Sequence, residues 1–458
     1  MTHTRENHDQ ESRSRLAKVI VVLVCVVPLL ATIAYGAVDS WAIGLLGVIV
    51  AAIALIWIAD SWRAGEFRFA SGRLLLPVFG LIVLACIQLL PIAPDSAASA
   101  IVSVPVAETI SMDPYATRLF AMRLAILFVF FAAALAYIPG GSRAKNIATA
   151  IVVFGAFAGF FGILQRLTIP ESIYGLRPTP EAISFGSFVN QHHFAALMAM
   201  TSGLALGMLF GSGVGRDRKF FLALAAGVMG MAVAFTGSRG GMISYLGVVV
   251  FVVVASFVRR SGGEGGRTRN LMVAVSAVGL VFLIIGSVSF LGGGLELLRG
   301  IGVDTGPTDI TSGRTHFWNI AWKVFLDHPI VGAGFDAFGA AFSRYDTWNG
   351  FYRVEQVHND YLQMLADGGV LGFACVAAFV VMLVSRGVRG IGHRSTGIER
   401  SIVTGALAGC FGILIHSFFD FPLRTTANAF FFLLLVAIAT TTETGRVRSK
   451  RRSRPEAN

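Results

Sequence analysis

Read for apolar and polar positions, the chain is a succession of long apolar runs separated by short polar turns, with one long polar interruption. A membrane-spanning helix needs roughly twenty predominantly apolar residues. Runs of that kind cover Leu16–Tyr35, Trp41–Ala59, Leu74–Ile92, Leu119–Ile138, Ile147–Leu164 and His193–Phe210. They continue at Phe220–Phe235, Met242–Val258 and Leu271–Leu291, then, after the interruption, at Tyr361–Val384, Ile402–Phe419 and Ala427–Thr440. About twelve spans are expected. Their glycine and alanine content suits helices whose backbones approach closely in lipid.

The interruption is a polar island from Gly292 to Asp360. Within it, Phe317, Trp318, Ala321, Trp322 and Phe325 recur at three- and four-residue spacing, which predicts an amphipathic helix opening at Arg314. Thr311 or Ser312 stands where its cap belongs, and the helix is expected to end before Pro329. Tryptophan favours the membrane interface, so the helix is expected to lie on the bilayer or against neighbouring spans, two compatible placements. Gly332-Ala333-Gly334-Phe335 reads as a turn, because no GK[ST] follows to make a phosphate loop.

Composition turns this pattern into a class. Hydrophobic residues make up 55% of the chain and charged residues 14%, with a mean hydropathy of +0.71. That is the balance of an all-α integral membrane protein. The four cysteines all lie inside apolar segments without CxxC spacing, so no disulfide framework or thiolate metal site is implied. A net charge of +11 does not indicate a nucleic-acid partner, because the basic residues form short clusters between apolar segments.

Those clusters alternate. With the amino terminus inside, every second connection, together with both termini, holds basic residues, 26 of the 37 in all. The positive-inside rule then gives one consistent orientation. Residues 1–15 form a cytoplasmic basic amino terminus, 16–291 a bundle of about nine spans, 292–360 a large extracytoplasmic catalytic loop, 361–440 the last three spans, and 441–458 a cytoplasmic basic tail. The first span ends in the small-x-small triplet Ala34-Tyr35-Gly36, a signal-peptidase pattern, but the expectation here is an uncleaved span.

A basic residue on the outer side opposes this bias and needs a reason, such as binding an anion or pairing with an acid. Arg239 lies in the glycine-bounded hairpin FTGSRGG (Phe235–Gly241), where the alternatives are an anion contact and a snorkelling arginine at a helix end. Arg314 opens the amphipathic helix. His316 reads as a surface residue and His328 as a favourable charge at a helix end. His358 differs, standing where the island returns to the membrane, with Glu355 and Asp360 as candidate orienting carboxylates. Asn190, followed by Gln191, His192 and His193, marks the outer end of another span.

Three segments together resemble the O-antigen ligase and polymerase superfamily of bacterial envelope glycan enzymes. They are GSRGG with Arg239, GRTHFWNIAW followed by HPIVGAGFDAFG, and VHNDYLQMLADGGVLG, supported by IHSFFDFPLR from Ile415 to Arg424. The resemblance implies transfer of an oligo- or polysaccharide from an undecaprenyl-pyrophosphate carrier to lipid A core, another carrier-linked glycan or a protein hydroxyl, at the extracytoplasmic face of the bacterial inner membrane. The essential arginines of that family map onto Arg239 and Arg314, and its essential loop histidine onto His358. Candidate substrate contacts are Arg239, Arg314, Asn190, Trp318 and His416. The sequence VNQHHF departs from the family's asparagine-rich signature, so no role passes to His192 or His193.

The chemistry suits these residue types. Negative charge grows on pyrophosphate as the glycosidic bond breaks, and guanidinium groups stabilise it by bidentate charge-assisted hydrogen bonds. An acceptor hydroxyl must lose a proton, for which histidine is the natural base. An in-line attack would invert the anomeric centre. No cofactor or metal is expected, since the chain lacks a DxD pair and HExxH spacing. The competing class is a polytopic transporter of a lipid-linked or small anionic substrate, against which stands the concentration of polar weight in one outer loop.

Overall fold

A computed structural model describes residues 2–66, 72–93, 108–138, 141–180, 182–258, 313–347, 354–393 and 397–440. These contain thirteen α-helices: α1 (Thr2–Ile33), α2 (Ser40–Ala64), α3 (Leu75–Gln88), α4 (Pro114–Tyr137), α5 (Ser142–Thr168), α6 (Gln191–Phe210), α7 (Arg216–Phe235), α8 (Arg239–Val258), α9 (Arg314–Asp327), α10 (Phe338–Tyr345), α11 (Asp360–His393), α12 (Gly397–His416) and α13 (Thr426–Thr440). Two small antiparallel hairpins, β1–β2 (Pro91–Ala93 with Glu108–Thr109) and β3–β4 (Ser172–Ile173 with Arg177–Pro178), join helices at one end of the bundle. The protein is an all-α, multi-pass membrane protein.

Among the described residues nine helices are long and apolar enough to cross a bilayer, with α3 and α13 shorter. Eleven of the expected spans coincide with helices. The expected span Leu271–Leu291, the candidate caps Thr311 and Ser312, and the basic tail lie outside the described residues.

Local chemistry sets the helix starts. Asp113 accepts the Ala116 N–H at 2.9 Å ahead of Pro114, so α4 begins with a side-chain cap and a proline in its first turn. Asn190 caps α6 by accepting the His192 N–H at 2.8 Å. Asn359 caps α11, its Oδ1 accepting from Tyr361 N at 3.0 Å and Leu362 N at 3.1 Å.

The centre of the bundle is α6, buried from His193 to Met208, as befits a helix apolar on all sides. It crosses α12 at contact distance. Gly203 and Gly207 on α6 face Gly405 and Gly409 on α12; a methyl group on Gly207 would lie 2.4 Å from Gly405 Cα, and one on Gly409 2.4 Å from the Met200 carbonyl oxygen. Small residues one turn apart on both helices let the backbones meet, the close packing expected from composition. This contact fixes the two helices whose ends carry His193 and His416.

The amphipathic helix forms as α9, ending at Asp327 before Pro329. Its inward face is narrower than the spacing implied. Ile320, Ala321 and Val324 are buried against α10 and α11 with Phe317 and Trp318 partly covered, whereas Trp322 and Leu326 stay exposed. Trp322 and Phe325 instead pair with each other, ring centroids 5.2 Å apart. One helix thus packs on the bundle and turns a tryptophan outward.

Candidate active site

Arg239 is the first residue of α8 and follows a turn in which Gly237 adopts φ +64°. Ser238 holds that turn: its Oγ accepts the Gly241 N–H at 3.1 Å and meets His192 Nδ1 at 2.9 Å. The hairpin is therefore tied to the start of α6. Both following glycines are needed for packing, since methyl groups at Gly240 and Gly241 would lie 2.8 Å from Phe419 Cβ and 2.6 Å from Ala195 Cβ. The close approach they permit is to protein, on the side of the hairpin facing α6 and the turn after α12.

Arg314 opens α9 with Nη2 3.7 Å from Asp420 Oδ2, an ionic contact longer than a hydrogen bond. His358 stands just before α11 with a left-handed backbone, φ +55°, a conformation that a non-glycine residue holds at a cost and that recurs at functional sites. Its Nδ1 meets Asp420 Oδ1 at 3.2 Å. The ring lies edge-on to Phe421, centroids 4.9 Å apart, and beside Phe317 at 6.2 Å.

Asp420 is the centre of this cluster and was not singled out from sequence. The expected orienting groups do other things: Asp360 accepts a hydrogen bond from Ser417 Oγ at 2.8 Å, and Glu355 is exposed. Asp420 is 2% exposed in its side chain, caps its own turn by accepting the Phe421 N–H at 2.9 Å, and lies 3.9 Å from His193 Nε2. Burial alone would raise its affinity for a proton. The hydrogen bond from His358 and the fields of His192, His193 and His358 outweigh that and hold it well below the usual carboxylate range. An ionised carboxylate only accepts, so His358 donates through Nδ1 and its Nε2 is the ring nitrogen turned away from Asp420.

Behind Asp420 lies a buried polar layer. His193 Nδ1 meets Thr425 Oγ1 at 2.6 Å, and Asn428 Nδ2 donates to the His193 carbonyl at 3.0 Å. His416 is fully buried beside Gly240. Among the described residues, both His416 ring nitrogens, His193 Nε2, Asp420 Oδ2, Asn428 Oδ1 and Trp318 Nε1 are buried without a hydrogen-bond partner. Of the expected substrate contacts, Asn190 serves as a helix cap, Trp318 packs on the apolar cluster of α9, α10 and α11, and His416 lies buried beneath the Arg239 hairpin.

A second ionic group anchors the loop without joining the cluster. Arg424 donates to Asp336 Oδ1 and to Asp367 Oδ2, the latter at 2.5 Å, while Arg123 Nη1 donates to the Arg424 carbonyl at 2.6 Å. Burial opposes the Arg424 charge, but Asp336, Asp367 and Asp360 reverse that and raise its affinity for the proton; Arg424 and Arg123 in turn, against the same burial, hold Asp336 below the carboxylate range. Gly332-Ala333-Gly334-Phe335 is the turn expected, and it is seated on α11: Ala333 N donates to Ala366 O at 2.9 Å and Gly334 N to Asp367 O at 3.1 Å. Gln88 completes the lock, donating to the Val331 and Asp367 carbonyls and accepting the Phe335 N–H at 3.0 Å. Arg123, a charge inside α4, thus meets the Arg424 carbonyl.

The family model described as O-antigen ligase matches residues 224–377, a stretch that holds Arg239, Arg314 and His358 together. Over that segment the chain is similar to the O-antigen ligase and polymerase superfamily. No curated protein matches it. The ligase-domain match ends before Asp420, so the residue at the centre of the cluster comes from beyond the matched segment. The match supports glycan transfer of the ligase or polymerase type, which in general joins a lipid-linked glycan donor to a glycan acceptor.

Proposed function

We propose that the protein transfers a glycan from an undecaprenyl-pyrophosphate carrier to an acceptor hydroxyl at the extracytoplasmic face of a bacterial inner membrane, inverting the anomeric centre. The observation that carries this reading is the convergence of His358 and Arg314 on one buried carboxylate, Asp420, beside the hairpin that bears Arg239. In the reaction, His358 Nε2 takes the acceptor proton as the acceptor oxygen bonds to the anomeric carbon. The bond from that carbon to the pyrophosphate oxygen breaks on the opposite side, and its electron pair leaves with pyrophosphate. Arg239 and Arg314 stabilise the growing charge on the leaving group, and Asp420 stabilises the imidazolium that forms. Asn190, Trp318 and His416 are proposed to contact the glycan or carrier.

The outer-face assignment rests on the distribution of basic residues. The cluster lies at the end of the bundle shared by the starts of α6, α8, α9 and α11, opposite the end that carries Arg143, Lys145, Arg216 and Arg400. The test is reconstitution with a lipid-linked glycan and an acceptor. Wild type transfers glycan, while His358→Ala, Arg239→Ala and Arg314→Ala, each inserted at normal levels, do not. Carrier-dependent flux without transfer, or wild-type transfer by His358→Ala, overturns the proposal.

A further inference from the structure

An apolar groove of about 630 Å³ outside the catalytic region runs between α5 and α7. We propose that it binds one anionic phospholipid, headgroup at Lys145 and Arg218, acyl chains along the groove. This goes beyond glycan transfer, because the groove opens at the end of the bundle opposite Asp420: Arg218 lies in the first turn of α7, whose other end leads into the Arg239 hairpin.

Three features select that occupant. Both ionisable groups that line the groove, Lys145 and Arg218, are basic, no carboxylate lines it, and both lie near the starts of their helices, at one mouth. Beyond the mouth the walls are apolar, with Phe157, Phe160, Phe221 and Leu224 exposed along them. The length also fits: from Lys145 to Phe160 the helix rises about 22 Å, and from Arg218 to Val228 about 15 Å. One leaflet of a bilayer's hydrocarbon core is about 15 Å deep. A free phosphate would leave these apolar walls uncovered, whereas a phospholipid covers them and places its phosphate between two cations. In the orientation proposed above, the mouth meets the cytoplasmic leaflet, whose anionic headgroups attract basic side chains.

The experiment is native mass spectrometry of the full chain in mild detergent, with dioleoyl phosphatidylglycerol and dioleoyl phosphatidylethanolamine added at equal concentration. Wild type retains phosphatidylglycerol in preference. Lys145→Gln with Arg218→Gln lowers the preference roughly tenfold or more, at about fivefold per basic group, and Arg218→Glu alone lowers it in the same direction. Ala156→Trp fills the groove without changing its charge and reduces retention of both lipids. Arg386→Gln with Arg389→Gln, basic residues elsewhere at the same end, leaves the preference intact. Equal retention by wild type, no change in the Lys145 and Arg218 variants, or an equal loss in the Arg386 and Arg389 control overturns the proposal.

Discussion

His358 Nδ1 lies 3.2 Å from Asp420 Oδ1, across 62 residues of chain. The contact decides which nitrogen of the imidazole holds its proton, and so makes Asp420 a positioning residue for the proposed base. Asp420→Asn keeps the shape of the side chain but can offer its N–H₂ to His358 and favour the wrong tautomer. Turnover is expected to fall by about 10²–10⁴, the range associated with a general base and its orienting group, with much less change in substrate binding. Turnover of the purified variant within threefold of wild type would remove Asp420 from the mechanism.

The depressed proton affinity of Asp420 sets a direction for stability against pH. A carboxylate that binds its proton more weakly in the folded state stabilises that state above its unfolded value of about 3.9, and the contribution disappears as pH falls through the folded value. The advantage of wild type over Asp420→Asn in unfolding temperature is therefore lost as pH falls below about 4 into stronger acid. An advantage that does not shrink over that fall would show that the Asp420 charge does not stabilise the fold.

Arg424 is held by Asp336 and Asp367 with its own carbonyl taken by Arg123, and removing it strands the buried Asp367 carboxylate and the partly exposed Asp336. Arg424→Ala is expected to cost about 3–5 kcal/mol, the scale for breaking a buried ion pair from one side. The loss should show in detergent-induced unfolding of the whole protein. An unfolding curve superimposable on wild type would mean that the ionic lock contributes little to holding the loop on α11.

The crossing of α6 and α12 gives a prediction of a different kind. A methyl group on Gly405 would lie 2.6 Å from the Gly203 carbonyl oxygen. Gly405→Ala is expected to destabilise by about 1–3 kcal/mol through overpacking, and Gly405→Leu to prevent assembly. An equal change on an open face, Gly227→Ala, where no atom lies within 4 Å of the added methyl, should be tolerated. Equal stability of the Gly405 and Gly227 variants would show that the helices can separate at no cost.

Apolar run length determined a good part of this protein by itself. It placed eleven of the described helices, and Pro329 and the spacing of Phe317, Ala321 and neighbours located α9. Those features are local, because a span must satisfy its backbone within itself and expose side chains to lipid. Arg239, Arg314 and His358 were legible as unusual polar residues, and a family resemblance singled them out as a set. What joins them was not legible. Asp420 sits in IHSFFDFPLR among aromatic residues, and nothing in its own neighbourhood distinguishes it from a surface acid. Asp360, two residues from His358, looked like the better partner and instead bonds Ser417. Only the packing of α6 on α12, through four glycines, brings the turn after α12 beneath α9 and the start of α11. A carboxylate becomes the centre of a site when tertiary structure removes it from water and surrounds it with donors, and neither condition is written in the residues beside it.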